Sequence, residues 1–492
     1  MGTSDFIALL PILTLAGFVV LTMLQVAFWR RLDTAAGLCG GACLATLGSV
    51  SAAWSVAPRT VTPLLVIDGY GLFYAALIVL ATAVVSALSY GYLVKQNAEH
   101  EECEEYFVLL LLAALGAVVL TAASHFVSFF LGFELIGVSL YGLIGYFRTR
   151  RRPVEAAVKY LILSAASSAF LLFGMALMYF ETGTMEFGRL GAAVTTAPNG
   201  IHMFVTGMAM TLVALGFKLA VAPFHMWTPD VYEGAPAPVT GFIATVSKGA
   251  IFALLVRYFT HVDAANDPAL WYALGVIAVV SMCTGNLLAL LQRNVKRVLA
   301  YSSIAHLGYL LVAFLAGGPL AVEAVTFYLV AYFVMTLGAF GVVSILTEPA
   351  GGKQATDPAR DADRLEDYRG LFWTRPWLSA SLTLMLLSLA GIPLTVGFLG
   401  KFYVIAAGVQ ASLWLLVFVL VANSVIGLFY YLRIIVAMAE TTRETPTFSP
   451  RIAHRRHEWA AVLSLTVLTL LLIGIGIYPD TLMRLIQTLT LS

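Results

Sequence analysis

The stretch FKLAVAPFHMWTPDVYEGAPAPVTGFIATVSKGA, residues 217–250, combines apolar runs with four internal prolines and a lysine near each end. Pro223 interrupts the apolar segment 202–226, and a second interruption, Gly-Ile-Pro at 391–393, falls inside the apolar segment 376–410. Proline removes a backbone donor and opens a helix, which a lipid bilayer tolerates only where protein or water covers the exposed groups. The two segments therefore predict broken helices inside a membrane protein.

The composition of the whole chain agrees with a membrane location. Of its 492 residues, 60% are hydrophobic and 11% are charged, with a mean hydropathy of +0.90, whereas a soluble domain carries about 25% charged residues. This composition excludes a water-soluble fold, and the net charge of +1 gives no indication of a nucleic-acid partner. Cys39 and Cys43 share a helix face, but no histidine or carboxylate nearby completes a metal site.

Helices that span the lipid bilayer account for most of the chain, because many segments reach the required length of about 20 mainly apolar residues. These segments lie near residues 6–29, 34–56, 70–94, 106–122, 124–147, 154–180, 202–226, 236–258, 270–291, 296–316, 319–346, 376–410, 412–438 and 459–478. We therefore expect an all-α polytopic membrane protein with about 14 transmembrane helices.

The two interrupted segments are the seventh and the twelfth in this order. Broken helices at matching positions of two halves indicate an inverted repeat in transporters. We therefore expect helices 1–3 in residues 1–105, a first five-helix repeat of helices 4–8 in residues 106–258, a second, inverted repeat of helices 9–13 in residues 259–438, and helix 14 in residues 439–492.

Lysine and arginine residues in the loops predict the orientation, because basic residues resist transfer and remain on the cytoplasmic side. If the N-terminus lies outside, 19 of the 28 basic residues fall in cytoplasmic loops, among them Arg150 and Arg364, and 4 fall in the opposite loops and ends. The four are Arg59, Arg189, Arg257 and Arg484. We therefore expect a multi-pass protein of the bacterial inner membrane with both termini in the periplasm.

Glu134 is a charged residue in the middle of an apolar span, within the sequence FFLGFELIG at residues 129–137. An ionised group at that depth costs several kcal/mol unless it is paired or hydrated, and such residues are usually functional. A carboxylate that bonds a neighbouring helix is the structural alternative. We expect Glu134 to handle protons.

Two lysines flank the first helix break. Lys218 lies five residues before Pro223, and Lys248 lies in the following apolar segment. Burial disfavours the charged form of an ammonium, so a buried lysine can exchange protons, and a carboxylate that approaches or withdraws changes its proton affinity. Glu134 is the expected partner of Lys218.

Lys401 lies in the second broken segment, eight residues past Pro393. The structural alternative is a side chain that reaches the headgroups, since long basic side chains near helix ends do so. Its position beside a helix break argues against that alternative and favours a third proton-exchanging lysine.

Three further residues are accessory candidates. His225 follows the first break and His306 lies in an apolar segment; imidazole titrates near neutral pH and can pass protons between lysines. Hydrogen-bonded packing is an equally good interpretation of each histidine. Lys159 follows Glu155 by four residues, a spacing that also occurs in purely structural helix pairs. No second histidine or cysteine stands at metal-ligand spacing beside either histidine.

Together, four stretches resemble the proton-pumping antiporter-like subunits of respiratory complex I, and specifically the subunit N (subunit 2) branch. They are residues 217–250, YSSIAHLGYLL at 301–311, DRLEDYRGL at 363–371 and AGIPLTVGFLGKFYV at 390–404. Carried over by position, the resemblance implies a charged axis and three accessory groups. The axis is Glu134, Lys218, Lys248 and Lys401, and the accessory groups are Lys159, His225 and His306. Lysine at 401 favours subunit N, because some sister subunits carry glutamate in the twelfth helix.

The resemblance implies a subunit of a bacterial NADH:quinone oxidoreductase that couples electron transfer to proton pumping. The sequence itself has no strand-linked GxGxxG and no clustered cysteines, so no flavin, nicotinamide or iron–sulfur site is expected in this chain. NADH, FMN, iron–sulfur clusters and quinone would be bound by partner subunits, namely other membrane subunits and a peripheral redox arm.

Two other functions are compatible with the same residues. A subunit of a multisubunit cation/proton antiporter would use the same broken helices and buried lysines without redox chemistry. The second is a membrane subunit of a related hydrogenase complex that acts as a passive anchor. It is less favoured, because a passive anchor does not require charged residues buried in separate helices.

Overall fold

The computed structural model describes residues 2–96, 103–195, 202–261, 268–347, 360–441 and 455–490. Helices make up nearly all of these residues, which confirms the predicted all-α polytopic fold. Among the described residues the strands form one antiparallel hairpin, β1 (Arg59–Thr62) with β2 (Leu65–Ile67). The hairpin lies between the second and third helices and was not predicted.

Three helices precede the proposed repeats: α1 (Thr3–Phe28), α2 (Leu32–Trp54) and α3 (Gly69–Gln96). α1 and α2 pack on each other and leave large apolar side chains exposed, so they form a lipid-facing edge. α3 is more deeply buried and connects this edge to the centre of the molecule.

The next part of the chain contains α4 (Glu105–Thr121), α5 (Phe126–Ile144), α6 (Arg151–Thr182), the short α7 (Phe187–Thr195) and α8 (His202–Leu219). Glycines allow α4 and α5 to approach closely, because a Cβ on Gly132 would lie 2.9 Å from the carbonyl oxygen of Gly116. This contact fixes the position of α5, which carries Glu134.

The predicted break in the seventh segment is present. α8 ends at Leu219, the chain turns through residues 220–226, and α9 (Trp227–Gly234) follows. The eighth segment consists of α10 (Ala237–Phe242), a turn of π-helix (Ile243–Ser247) and α11 (Lys248–His261). Its residues 237–260 lie at the centre of the protein with almost every side chain buried.

The second half repeats this pattern of continuous and broken helices. Its elements are α12 (Pro268–Leu290), α13 (Val295–Ala316), α14 (Gly318–Leu346), a 3₁₀ turn (Leu365–Tyr368), α15 (Leu371–Thr374), α16 (Pro376–Ala390), α17 (Val396–Gln410) and α18 (Trp414–Ala439). α16 and α17 are the two parts of the predicted broken twelfth segment, and residues 391–395 separate them.

The chain ends with α19 (Arg455–Ile477), which packs against α3 and α14, and with α20 (Asp480–Thr490). α20 is too short to span a membrane and was not predicted. Among the described residues, 12 helices are long and apolar enough to cross a membrane. The shorter α4 and the broken pair α16/α17 complete the set of predicted segments. The division into two inverted repeats stays a prediction.

Candidate functional site

Lys218 occupies the last turn of α8, directly before the first break, and is only 2% exposed. Its Nζ donates hydrogen bonds to Oγ of Ser164 at 3.0 Å and to the hydroxyl of Tyr160 at 3.3 Å, both on α6. The ammonium also lies 4.8 Å from the centre of the Phe133 ring. A cation is favoured at this position because unpaired carbonyls accumulate at a helix C-terminus.

Glu134 projects from α5 and is half-buried. Its carboxylate accepts a short hydrogen bond from Oγ of Ser168 on α6. Glu134 and Lys218 form no direct ion pair, because Ser164 and Ser168 each bond one of the two groups. The two groups lie within electrostatic range of each other, and their expected functional partnership stays a prediction.

The first break is stabilised by its own residues. The indole nitrogen of Trp227 donates to the carbonyl oxygen of Phe217 at 3.0 Å, which offsets the cost of the left-handed conformation of Ala220 (φ of 60°). His225 lies inside the break, is buried, and is within electrostatic range of Lys248. Among the described residues, Nδ1 of His225 has no hydrogen-bond partner.

Lys248 is the first residue of α11, directly after the turn of π-helix, and is 1% exposed. Its Nζ donates to Oγ of Ser303 on α13 at 2.7 Å, and the same oxygen accepts a hydrogen bond from Tyr332 of α14 at 2.8 Å. Isolated π-helical turns are frequent at functional sites, since they redirect a side chain relative to the helix.

His306 lies one turn beyond Ser303 on α13 and is fully buried. The hydroxyl of Tyr328 lies 2.7 Å from Nδ1 and the hydroxyl of Tyr431 lies 3.3 Å from Nε2. Both ring nitrogens are therefore occupied by groups that can donate or accept a proton. The histidine connects α13, α14 and α18.

Lys401 projects from α17 back into the second break and is 6% exposed, so it does not reach toward headgroups. Its Nζ donates to the carbonyl oxygens of Leu389 at 3.0 Å and Ala390 at 2.8 Å, and to Oγ of Ser424 at 2.7 Å. These carbonyls belong to the last turn of α16. The break thus creates the binding site for the ammonium, and the three bonds match the three hydrogens of the ammonium group.

Lys159 lies apart from the buried lysines, with 43% of its side chain exposed. It pairs with Glu155 at 2.9 Å and with Asp230 of α9 at 2.8 Å, and Asp230 also pairs with Arg297 of α13. Burial alone would raise the pKa of Asp230, but the hydrogen bonds from Lys159 and Arg297 hold that pKa below its ordinary value. The accessory role of Lys159 stays a prediction.

Several buried ion pairs were not predicted as part of any site. Lys296 pairs with Asp361 at 2.6 Å, Arg257 pairs with Asp68 at 2.6 Å, and Lys95 pairs with Glu458 at 2.6 Å. The sequence presents these basic residues only as loop or helix-end charges, and their carboxylate partners are distant in the chain. The serines and tyrosines that bond the lysines were missed for the same reason.

Three buried lysines therefore lie beside hydroxyl groups, with two buried histidines near them. Hydroxyl and imidazole groups both donate and accept hydrogen bonds, so they can pass protons without carrying a fixed charge. Lys218, Lys248 and Lys401 form no direct ion pair with any residue in the described ranges. This arrangement is suited to proton exchange.

A family described as NADH:quinone oxidoreductase/Mrp antiporter, transmembrane region, matches residues 123–427. The chain belongs to this family. The matched antiporter region contains all seven candidate residues, both helix breaks and the π-helical turn.

Three solved structures have the same fold over nearly their whole length. A chain of respiratory complex I from Thermus thermophilus is 31% identical, with a TM-score of 0.79 over 96% of this chain and 98% of that chain. A chain of the archaeal membrane-bound sulfane sulfur reductase is 24% identical, with a TM-score of 0.80 over 99% and 96%. A chain of the Mrp complex from Dietzia sp. is 20% identical, with a TM-score of 0.84 over 100% and 97%. The chain is an antiporter-like membrane subunit of complex I, an Mrp antiporter or a related membrane complex.

Proposed function

We propose that this chain is the proton-translocating subunit N of a bacterial NADH:quinone oxidoreductase. The observation that carries the proposal is the set of three buried lysines, each bonded to neutral groups and none in a direct ion pair with a described residue. A permanently charged ammonium in such a setting is costly, whereas a group that gains and loses a proton needs burial and neutral partners. The similarity over 96% of the chain to a complex I subunit supports the choice of complex.

The relay would pass through the buried ionisable groups and the hydroxyl groups beside them. Glu134 would modulate the proton affinity of Lys218 across α6. His225 lies between Lys218 and Lys248 in chain order and is within electrostatic range of Lys248. From Lys248 the hydroxyls of α13 and α14 lead toward His306, and Lys401 ends the series. Lys159 would act as an accessory group near the start of α6.

No redox cofactor is proposed for this chain. NADH, FMN, iron–sulfur clusters and quinone would be bound by partner subunits in the membrane and in a peripheral arm. Electron transfer to quinone in those partners would drive the protonation changes in this chain by electrostatic or conformational coupling. A multisubunit cation/proton antiporter is the second candidate, since the matched family includes both classes.

The two candidates differ in the proteins that accompany the chain. If an affinity-tagged chain is purified in a mild detergent, we expect flavin, iron–sulfur signals and NADH:quinone oxidoreductase activity in the same fraction. Flavin fluorescence and electron paramagnetic resonance provide the measurement. A complete complex of membrane subunits that lacks flavin and exchanges sodium for protons would support the antiporter candidate instead.

The proposal includes the orientation in the bacterial inner membrane. We expect a cysteine at position 182 to react with an impermeant maleimide added to the periplasmic side, and cysteines at 150 and 364 to react only from the cytoplasm. The native cysteines should first be replaced by serine; three of them are buried and Cys283 is partly buried. Cytoplasmic labelling at position 182 would contradict the topology and the repeat assignment.

A further inference from the structure

We propose that Ser164 and Ser168 of α6, which are joined through the backbone carbonyl of Ser164, form a bridge that links the protonation of Glu134 to that of Lys218, an inference that rests on the proposed function. The two serines are four residues apart and therefore lie on the same face of α6. Ser168 donates to the carboxylate of Glu134, and Ser164 accepts from Nζ of Lys218 at 3.0 Å. Each serine thus contacts one of the two ionisable groups.

The hydrogen bonds of Ser168 depend on the charge of Glu134. Its single hydroxyl hydrogen has two acceptors within reach, the carboxylate of Glu134 and the backbone carbonyl oxygen of Ser164 at 3.0 Å. When Glu134 is ionised, the hydroxyl donates to the carboxylate. When Glu134 is protonated, its acid group donates to Ser168, whose own hydrogen then turns to the carbonyl of Ser164. Ser168 is satisfied in both states.

The hydrogen bonds of Ser164 depend on the charge of Lys218 in the same way. Its Oγ accepts from Nζ of Lys218 at 3.0 Å and from the hydroxyl of Tyr141 at 2.9 Å, which uses both of its lone pairs. When the amine is neutral, its lone pair can accept the hydroxyl hydrogen of Ser164. Both states of Lys218 are therefore accommodated without a change of side-chain position.

Gly137 makes room for this arrangement. It lies on α5 one turn beyond Glu134, and a Cβ at that position would be 3.0 Å from Nζ of Lys218 and 3.4 Å from the hydroxyl of Tyr141. Its backbone is ordinary helix, so no unusual φ requires glycine there. Alanine is the better helix former, so the space beside the ammonium is the physical reason for glycine.

In this bridge the two serines are positioning residues. The hydrogen bond from Ser168 favours the charged form of Glu134, and the charge of Glu134 determines how strongly that residue acts on Lys218. The neighbouring Ser167 provides a matched control. It lies on the same helix and is buried, but its hydroxyl donates to the carbonyl oxygen of Ala214 at 3.2 Å and contacts neither ionisable group.

The test compares Ser164→Ala, Ser168→Ala and Gly137→Ala with Ser167→Ala in the assembled complex reconstituted into vesicles. Proton translocation and NADH-dependent quinone reduction are measured across pH. Loss of a hydrogen bond to a charged group predicts roughly a tenfold decrease in translocation for each serine variant and a displaced pH profile. Ser167→Ala should retain the wild-type profile. Ser168→Thr, which keeps a hydroxyl, should restore most of the rate.

Infrared difference spectra add a readout that a purely structural role would not change. The carbonyl band of protonated Glu134, assigned by its loss in Glu134→Gln, should shift in Ser168→Ala and not in Ser167→Ala. Gel analysis of each purified complex confirms assembly, and a serine-to-cysteine variant, whose thiol is only a weak hydrogen-bond donor, replaces any alanine variant that does not assemble.

The bridge is wrong if both alanine variants pump with the pH profile of Ser167→Ala, or if an assembled Ser168→Thr is as impaired as a variant without the hydroxyl. Glu134→Gln and Lys218→Met are measured in the same series. If they lose pumping while the serine variants do not, the bridge alone fails. If none of the variants changes pumping, the proposed function fails with it.

Discussion

Replacing Lys218 by methionine should decrease proton translocation by roughly 100-fold or more, the range expected when a positioned proton-transfer group is removed. Methionine preserves much of the length and the packing, but it has no exchangeable proton to give to Ser164 or Tyr160. Vesicles that contain the assembled complex, energised with NADH and read with a pH-sensitive dye, provide the measurement.

Lys159→Met is the informative comparison for this variant. Lys159 is partly exposed and paired with two carboxylates, so its removal should have a much smaller effect than the removal of a buried relay group. Translocation at the wild-type rate in an assembled Lys218→Met complex would show that protons do not pass through this position. If Lys218→Met and Lys159→Met lose the same fraction of proton translocation, the buried lysines do not differ from Lys159 in their role.

Replacing Lys401 by arginine should also abolish proton translocation, although it keeps the positive charge. Arginine stays protonated at any physiological pH, so it cannot release a proton to a neighbour. Its several donors could still bond the carbonyls of Leu389 and Ala390 that hold the native ammonium. A purely structural cation would therefore tolerate the change.

Quinone reduction and proton translocation should be recorded on the same Lys401→Arg sample. The site is narrow, since a Cβ on Gly391 would lie 3.1 Å from Nζ of Lys401, so assembly must be verified for this variant. Lys401→Met, which is smaller and uncharged, should show the same loss of translocation. If the arginine variant matches wild type in both rates, reversible protonation at Lys401 is not part of the mechanism.

The helix breaks could be predicted from the sequence because their cause is local. Pro223 and Pro393 lack the backbone donor that a continuous helix needs, and their apolar surroundings indicate a membrane environment. The depth of Glu134, Lys218 and Lys248 followed from the length of the apolar segments alone. These features depend on residues close together in the chain, and the structure places the breaks where they were expected.

The partners of the charged residues could not be predicted, because they come from other helices. Nothing near Lys218 in the sequence indicates Ser164, and nothing near Lys248 indicates Ser303. The sequence suggested Glu134 as the partner of Lys218, whereas the groups that bond these two side chains are the hydroxyls of Ser168 and Ser164 on α6. Likewise, nothing near Lys296 in the sequence indicates that it is buried against Asp361.

Short elements outside the membrane spans were missed for a different reason. The hairpin β1–β2 and α20 are too short for a periodic pattern to stand out from the surrounding loops. α20 follows α19 after only two residues, so no loop separates the two helices in the sequence pattern.

Under the proposed function, protons cross the membrane through the buried lysines of this chain when NADH reduces quinone in its partners. The most direct measurement is the number of protons moved per NADH oxidised, in sodium-free vesicles that contain the purified complex with wild-type chain or with Lys218→Met. We expect NADH-dependent, uncoupler-sensitive proton movement with the wild-type chain and a clearly lower proton-to-NADH ratio or a complete loss of movement with the variant. An unchanged ratio in the variant, or a wild-type complex that moves protons only in exchange for sodium and without NADH, would contradict the claim.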